Sequence, residues 1–311
     1  MKKSALAICA VSAVLLLPRG EATATDMYLT EDNDMIGQVE QHIATHADTL
    51  EDIARNHSMG FVELMAANPG VDPWLPGKGT PITLPSAYLL PDAPRRGIVV
   101  NLPEMRLYHF RKDGTVGTYP VGIGREAWET PELITKIVRM RKDPTWVPPA
   151  SIRKEKPYLP ASVGPGPDNP LGAYAMSLSA GAYVIHGTNK PTGVGRRVSS
   201  GCIRLYPEDI ENLFGYAGNG VPVRIVSQEV KVGWYNGDLY VEAHPSEKLA
   251  DRIEAGEIID HPVDLTNMLL HVQQYPGAED ANIDWVILEK TLRERRGIPI
   301  RVSLGRRASV D

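Results

Sequence analysis

Short runs of apolar residues, many of them alternating with polar ones, recur between residues 97 and 227. Period-two alternation bounded by Gly, Pro, Asn and Asp is typical of β-strands. One helix is also predicted, with Pro207 in its first turn and the glycines of 218–220 at its end. This composition of elements predicts a mainly β domain of the sandwich or barrel-like type over 97–227. The predicted strands are 97–101, 106–110, 118–124, 174–176, 183–185 and 221–226.

The segment 38–86 has helical spacing in its centre instead. Asp48 is the expected N-cap of a first helix, because Glu51 follows it three residues later, as in a capping box. A second helix is expected over 60–67, where apolar residues recur at helical spacing. A closing strand is expected over 80–85. The order strand, helix, helix, strand predicts a small α+β unit.

The region 228–311 carries a weaker pattern. Residues 234–242 predict a hairpin, with its turn at Asn236-Gly237. Helical stretches are expected near 246–255 and 263–273, and the last residues, 301–311, are expected to be a frayed tail. We interpret the region as a C-terminal extension of unknown role.

Residues 1–24 have the composition of a secretory signal peptide. Lys2 and Lys3 precede the apolar run 5–17, and Ala22-Thr23-Ala24 supplies a cleavage site of the small-x-small type. The apolar run is too short to span a bilayer, and no other segment is apolar enough to be a transmembrane helix. The sequence therefore predicts export, with the periplasm as the location.

Composition narrows the class of protein. The chain has 311 residues, 42% of them hydrophobic, a formal net charge of −5 and 6% aromatic residues. A mildly acidic, aromatic-poor chain lacks the basic surface of a nucleic-acid-binding protein. The two cysteines are Cys9, inside the predicted signal, and Cys202. Cleavage would leave one thiol, which an oxidising compartment tolerates only if it is buried or used.

Cys202 has neighbours that fit acyl transfer. It follows Ser199-Ser200-Gly201, and His186 ends a predicted β-rich stretch upstream. A histidine near a cysteine can accept its proton and lower the thiol pKa. Backbone N–H groups at Ser200, Gly201 and Cys202 can together bind an oxyanion. From spacing alone, a buried inert thiol or a redox or metal role stays open.

Residues 97–227 resemble the catalytic domain of the L,D-transpeptidases, the YkuD family. The matching motifs are I-H-G-T-N and S-S-G-C-I-R-L, supported by Y-P-V-G-I-G-R-E-A-W-E-T-P, K-D-P-T-W-V-P-P-A-S-I-R and G-P-D-N-P-L-G. The resemblance implies an enzyme in which Cys202 is the nucleophile and His186 the proton donor and acceptor. It also implies supporting roles. The Gly187 carbonyl would fix the histidine tautomer, and Ser200 and Gly201 would contact the oxyanion. Arg204 and Trp146 would bind the substrate. Many members have histidine where this chain has Ser200.

The implied reaction is acyl transfer on peptidoglycan. Cys202 would form a thioester with the diamino-acid residue of a tetrapeptide stem, release D-alanine, and pass the acyl group to an amine. The acceptor would be another stem, which gives a 3-3 cross-link, or an outer-membrane lipoprotein or other protein. A hydrolase of the same family, which passes the thioester to water, is an alternative. By the same resemblance, carbapenems are expected to acylate the thiol, and no metal or cofactor is implied.

The segment 38–86 resembles a LysM module through D-T-L-E-D-I-A, M-A-A-N-P-G and G-K-G-T-P-I-T-L-P. LysM modules bind glycans that contain N-acetylglucosamine, so the resemblance implies that peptidoglycan strands are a partner. A catalytically idle glycan-binding protein is the alternative from another class. The sequence thus predicts a periplasmic cell-wall enzyme held on its substrate by a separate binding module.

Overall fold

The computed structural model describes residues 26–30, 33–257 and 264–306. The predicted signal peptide, with Cys9, lies outside the described residues. Among the described residues, no helix has the length and apolar character needed to cross a membrane.

Strands outnumber helices throughout the described chain, and the predicted mainly β fold is confirmed. The strands are β1 (Asp26–Tyr28), β2 (Met35–Gly37), β3 (Glu40–Ile43), β4 (Pro81–Leu84), β5 (Ala87–Leu89), β6 (Gly97–Asn101), β7 (Arg106–Phe110), β8 (Thr115–Pro120), β9 (Ile123–Gly124), β10 (Leu133–Lys142), β11 (Tyr174–Leu178), β12 (Val184–His186), β13 (Arg197–Ser199), β14 (Ile203–Arg204), β15 (Pro222–Val226), β16 (Val230–Tyr235), β17 (Asp238–Ala243), β18 (Ala281–Ile283), β19 (Ile300–Arg301) and β20 (Ser303–Arg306). The helices are α1 (Leu50–Asn56), α2 (Phe61–Ala67), α3 (Ala150–Glu155), α4 (Pro207–Tyr216), α5 (Glu247–Glu254), α6 (Thr266–Gln273) and α7 (Trp285–Glu294).

A curled sheet of nine strands forms the centre of the molecule, in the order β1-β8-β7-β6-β15-β10-β11-β12-β14. Most neighbours are antiparallel, whereas β15 pairs with β6 and β14 pairs with β12 in parallel. The strand β6 is almost wholly apolar because both of its faces are covered. Ile98 and Val100 enter the main core, and Val99 enters a second cluster with Ile36 and Tyr88.

The longest strand, β10, was not predicted from the sequence. Its pairing with β11 shifts register between Ile137 and Arg139, so the period-two alternation is interrupted. The expected strand over 118–124 is also divided, because β8 ends at Pro120 and β9 pairs with a different strand, β13. In both cases an irregularity in strand pairing interrupts the alternation of apolar and polar residues from which strands are predicted.

The predicted order strand, helix, helix, strand is found in β3, α1, α2 and β4, with β3 paired to β4. The predicted N-cap was wrong by one residue, since Thr49 caps α1 by accepting from the Asp52 N–H. Asp48 instead accepts from the Thr45 N–H at 2.7 Å. Apolar residues of both helices join the same core cluster as the large sheet. A buried ion pair at 2.8 Å, between Glu63 of α2 and Arg106 of β7, crosses the contact.

The C-terminal region forms its own sheet, β16-β17-β19, over a separate hydrophobic cluster. The predicted hairpin turn is confirmed, with positive φ at Asn236 and Gly237. The expectation of a frayed tail was wrong as far as residue 306, because residues 300–301 and 303–306 are strands that pair with β17 and β18. Helix α7 was not predicted either. Helix α5 does not pack on this C-terminal sheet. It packs against α2, and its Ala250 lies in the main core.

Candidate active site

His186 and Cys202 lie on neighbouring strands of the large sheet. His186 ends β12, and Cys202 immediately precedes β14. The strands pair in parallel, with Ile185 opposite Ile203 and His186 opposite Arg204. Paired residues share a face of the sheet, and faces alternate along each strand. Because Ile185 and Ile203 enter the core, His186, Arg204 and Cys202 share the opposite face.

The tautomer of His186 is determined by its hydrogen bond to the following residue. Its Nδ1 lies 2.5 Å from the carbonyl oxygen of Gly187. A carbonyl can only accept, so Nδ1 must carry the proton, and Nε2 is left with a lone pair. Burial lowers the pKa of His186 to about 3, helped by the positive charge of Arg204 and opposed by the bond to Gly187. The imidazole is therefore a neutral base at physiological pH.

The thiol of Cys202 is also neutral. Burial raises its pKa, while the backbone N–H of Val184 and the charge of Arg204 act in the opposite direction. Sγ lies 3.9 Å from the carbonyl oxygen of Ala182, to which it donates. The expectation of a thiol pKa lowered by the histidine is thus contradicted, since a neutral imidazole provides no charge to stabilise a thiolate. The resting site contains a thiol and an imidazole, not an ion pair.

The turn before Cys202 is held by the hydroxyl of Ser199. This buried hydroxyl accepts from the Gly201 N–H at 3.1 Å and donates to the Cys202 carbonyl at 2.6 Å. Gly201 has φ +92°, and a Cβ there would lie 3.3 Å from the ring of Tyr183. Glycine suits this position because L-residues are strained at such a φ. The N–H of Gly201 already has an acceptor, whereas those of Ser200 and Cys202 have none among the hydrogen bonds of the described residues.

A second support comes from the neighbouring loop. Thr130 is buried, and its hydroxyl donates to the Gly201 carbonyl at 3.1 Å and accepts from the Gly124 N–H at 3.0 Å. Sequence reasoning singled out neither Thr130 nor Ser199 for this role. The motif S-S-G-C was a signal for Ser199, because serine hydroxyls commonly bond to the backbone two residues on. Thr130 lies in the quoted motif Y-P-V-G-I-G-R-E-A-W-E-T-P, but that motif did not indicate a contact with Gly201, which is far from it in the chain.

Arg204 lies beside the thiol. Burial lowers its pKa, Cys202 raises it, and the like charge of Arg125 lowers it further. Its buried Nε has no hydrogen-bond partner among the described residues. Arg125 itself pairs with Glu155 of α3 at 2.8 Å. Among the described residues, no carboxylate forms an ion pair with Arg204.

Trp146 lies in the segment between β10 and β11. It is half-buried, and its backbone pairs with Val163 through two hydrogen bonds of 2.8 Å. The contacts of the described residues do not bring it to His186 or Cys202, and its role at the substrate stays a prediction.

One buried cluster has ligand types suited to a metal. Glu104, Glu242 and His244 have ligand atoms within 4.8 Å of one another. The ammonium of Lys231 lies among them, 2.7 Å from Glu104 and 2.9 Å from Glu242. This ammonium already occupies the position between the two carboxylates that a metal ion would need. The cluster joins the C-terminal region to the rest of the fold, since Glu242 also accepts from the Leu89 N–H at 2.6 Å.

The sequence matches known proteins over most of its length. A sequence model of the YkuD L,D-transpeptidase catalytic domain matches residues 95–225. The probable L,D-transpeptidase YcfS of Escherichia coli strain K12 is 38% identical over 279 residues, which cover 86% of this chain and 85% of the relative. The probable L,D-transpeptidase YbiS of the same strain is 39% identical over 285 residues, which cover 88% of this chain and 90% of the relative.

Solved structures match more distantly. The catalytic domain of the Enterococcus faecium L,D-transpeptidase, determined by NMR, aligns with 44% of this chain and 100% of its own length, at 19% identity and a TM-score of 0.35. An L,D-transpeptidase from Mycobacterium smegmatis aligns with 49% of this chain and 65% of its own, at 15% identity and a TM-score of 0.35.

Proposed function

Because this chain belongs to the L,D-transpeptidase family with the YkuD catalytic domain, we propose that it transfers peptidoglycan stem peptides through a thioester on Cys202. The observation that carries the proposal is the free Nε2 lone pair of His186 on the face of the sheet that Cys202 shares. The acyl donor is a tetrapeptide stem, cut after its third residue. The acceptor is an amine.

In the first half-reaction the sulfur of Cys202 attacks the carbonyl carbon of the third stem residue. Nε2 of His186 takes the thiol proton as the bond forms, because neither group is charged beforehand. The carbonyl oxygen becomes an oxyanion, for which the unengaged N–H groups of Ser200 and Cys202 are donors. The C–N bond then breaks, D-alanine leaves with the proton from His186, and a thioester is formed.

In the second half-reaction an acceptor amine attacks the thioester carbonyl. His186 removes a proton from the amine, and the C–S bond breaks as the new amide forms. The proton returns to the sulfur, which restores the neutral thiol. One histidine therefore serves both steps, and Gly187 keeps its Nε2 directed toward the reaction by fixing the other nitrogen.

Arg204 is the proposed partner of a donor carboxylate. Its charge acts on Cys202, and no carboxylate of the described residues pairs with it. The terminal carboxylate belongs to the D-alanine that leaves, so it must lie near the sulfur during attack. A charge-assisted bond from a guanidinium would orient the leaving group there.

The N-terminal unit is proposed to bind glycan strands, as its resemblance to LysM implies. Its two connecting loops lie side by side, since the Leu50 N–H donates to the Pro73 carbonyl at 2.8 Å. Trp74 and Leu75 project from the second loop, 53% and 77% exposed. The ring of Trp74 stacks on Phe61 at 5.6 Å, which holds an aromatic surface at the loop. With residues 1–24 as a signal peptide, the enzyme would meet its substrate in the periplasm.

Product analysis tests the proposal. The mature chain and Cys202→Ala are incubated with tetrapeptide muropeptides and an acceptor stem or peptide amine, and the products are analysed by mass spectrometry. A new amide with loss of D-alanine, absent with Cys202→Ala, is the expected result. A trimmed stem with no new amide would identify the hydrolase instead. Unchanged muropeptides together with retained sacculus binding would identify a glycan-binding protein without catalysis.

A further inference from the structure

The outer face of the large sheet is exposed where β10 pairs with β15. Ile134 of β10 pairs with Arg224 of β15, and Arg224 pairs with Val99 of β6. Directly paired residues point to the same face of a sheet. Val99 is buried in the second cluster, whereas Ile134 is 72% exposed and Arg224 is half-buried. Among the described residues, the layer that covers the outer face at β6 therefore ends before β10.

This exposed area combines aliphatic and cationic side chains. Lys136 lies two residues after Ile134 on β10, so it points to the same side, and it is exposed. After the bulge, Arg139 precedes Met140, which packs against the main core, so Arg139 points outward as well. Arg139 is exposed, and Val138 at the bulge is 47% exposed. We define the basic face as Ile134, Lys136, Val138, Arg139 and Arg224.

The three cations of the basic face form no ion pair with another described residue. Glu132, just before β10, is occupied with the Ser227 N–H, from which it accepts at 3.2 Å. Lys136 is the diagonal neighbour of Arg224 across the strand pair. Like charges at such positions repel one another. The chain as a whole has a net charge of −5, so this positive area is a local exception that an anionic partner would neutralise.

The position of these strands in the sheet narrows the kind of partner. Strand β10 pairs with β11 on one side and β15 on the other, and β15 also pairs with β6. Their backbone groups are therefore used within the sheet, so an extended peptide cannot add to them as a further strand. The basic face offers side chains alone. Aliphatic groups interspersed with Lys and Arg suit an anionic bilayer, because the cations attract the phosphates while the aliphatic groups enter the interface.

We propose that the basic face docks this protein on a membrane surface of anionic phospholipid, an interaction that goes beyond the proposed function. One Lys or Arg close to such a surface strengthens binding by about fivefold. Three of them should therefore favour an anionic over a neutral bilayer by roughly a hundredfold. Salt of about 1 M should weaken the binding, because it shortens the screening length to about 3 Å. Ile134 and Val138 add an apolar contribution that salt does not screen.

The test measures cosedimentation of the mature chain with vesicles of phosphatidylethanolamine and phosphatidylglycerol, and with vesicles of phosphatidylcholine. Wild type is expected to bind the anionic vesicles roughly a hundredfold more tightly. The triple variant that combines Lys136→Gln, Arg139→Gln and Arg224→Gln is expected to lose this difference. The matched control combines Arg96→Gln, Lys112→Gln and Lys248→Gln, which removes the same charge from exposed positions elsewhere, and it should bind as wild type does. Cys202 acylation by a carbapenem should be unchanged in both variants, which shows that they are folded.

Three results would overturn the membrane assignment. The first is wild type that binds neither vesicle, or both equally. The second is a matched control that loses as much binding as the triple variant, since net charge alone would then explain the attraction. The third is wild type that ignores the vesicles but binds polyglutamate through the same residues, which would assign the basic face to an acidic protein. If the triple variant fails to fold, Lys136→Gln at its exposed position decides instead, with an expected loss of about fivefold.

Discussion

Arg197 forms an ion pair with Glu247 at 2.8 Å, which connects the strand before the catalytic turn to helix α5 of the C-terminal region. The same guanidinium contacts Asp251 one turn later on the helix. Arg197 is only 3% exposed, and its strand β13 runs directly into Ser199, whose hydroxyl holds the turn at Cys202. The region 228–311, which had no assigned role from sequence, therefore supports the strand on which the nucleophile's turn depends.

Replacing Arg197 with glutamine is expected to lower both stability and activity. The substitution removes a buried guanidinium that pairs with two partly exposed carboxylates, so the free energy of unfolding should fall by roughly 1–3 kcal/mol. The rate of Cys202 acylation by a carbapenem should fall as well, because β13 is less firmly held. Denaturant unfolding and intact-mass kinetics measure the two effects. Arg252→Gln is the control, since Arg252 lies on α5, the helix that Arg197 contacts, and its ion pair among the described residues is with the exposed Glu257. Equal losses in both variants would refute the role of Arg197.

Ser199→Ala should reduce acylation without unfolding the protein. The substitution removes the acceptor of the Gly201 N–H and the donor to the Cys202 carbonyl. Unsatisfied groups of this kind cost about 1–3 kcal/mol, and a displaced nucleophile reduces the acylation rate by about a hundredfold. Acylation is followed by intact mass at a temperature where circular dichroism shows the fold intact. Ser227→Ala, at an exposed position, should retain the wild-type rate. Wild-type acylation by Ser199→Ala would show that the hydroxyl does not position the thiol.

The pH dependence of thiol alkylation tests the neutral resting state. Burial raises the pKa of Cys202 above its ordinary value of 9.0, so the thiolate should form only in alkaline solution. The rate of alkylation by iodoacetamide is therefore expected to rise with pH, with a midpoint above 9. A midpoint below about 7 is the signature of a preformed thiolate–imidazolium pair, and it would contradict general-base activation by a neutral His186.

Asp209 makes stability depend on pH in the opposite sense to most acids. Its two buried oxygens have no hydrogen-bond partner among the described residues. Burial, with the charge of Glu208, raises its pKa from 3.8 to about 8, against the attraction of Arg106 and Arg55. The folded protein thus keeps a proton that the unfolded chain loses above pH 3.8. The proton on Asp209 contributes fully to the free energy of unfolding below that pH. This contribution is lost as the pH rises to about 8, by at most about 1.4 kcal/mol for each pH unit.

Asp209→Asn removes this dependence, because an amide does not ionise. The free energy of unfolding of the variant, relative to that of wild type, should increase as the pH rises from about 4 to about 8. Above about pH 8 this difference should stay constant. Urea unfolding at several pH values measures the difference. A difference that is constant with pH would show that Asp209 does not hold a proton in the folded protein.

Trp74→Ala should weaken binding to purified sacculi while leaving Cys202 acylation unchanged. The exposed indole, supported by Phe61, is the aromatic surface of the proposed glycan-binding loop. Cosedimentation with sacculi measures the loss, expected to be about tenfold in affinity. Trp285→Ala is the matched control, because this residue is also exposed, at 45%, but lies on α7 of the C-terminal region. Equal losses in both variants would indicate non-specific adhesion.

Much of the fold was predictable where the signal is local. The strands β6 and β7, the helix that begins at Pro207, and the hairpin turn at Asn236-Gly237 follow from apolar runs and turn residues that act over a few positions. The strand β10 was missed because its bulge breaks the alternation on which such predictions depend. The tail at 300–306 was misjudged because its strands exist only through partners elsewhere in the chain.

The sequence by itself determined the mainly β class, the βααβ order of the N-terminal unit and, through its motifs, the family and the two residues expected to react. Tertiary structure alone decided their state of charge, since the pKa values of His186 and Cys202 depend on how completely the fold excludes water from them. It also decided which distant groups support the turn at Cys202, because Thr130 and Arg197 reach that region through strand pairing and packing. Local patterns encode elements, whereas desolvation and long-range contacts arise only when those elements are assembled.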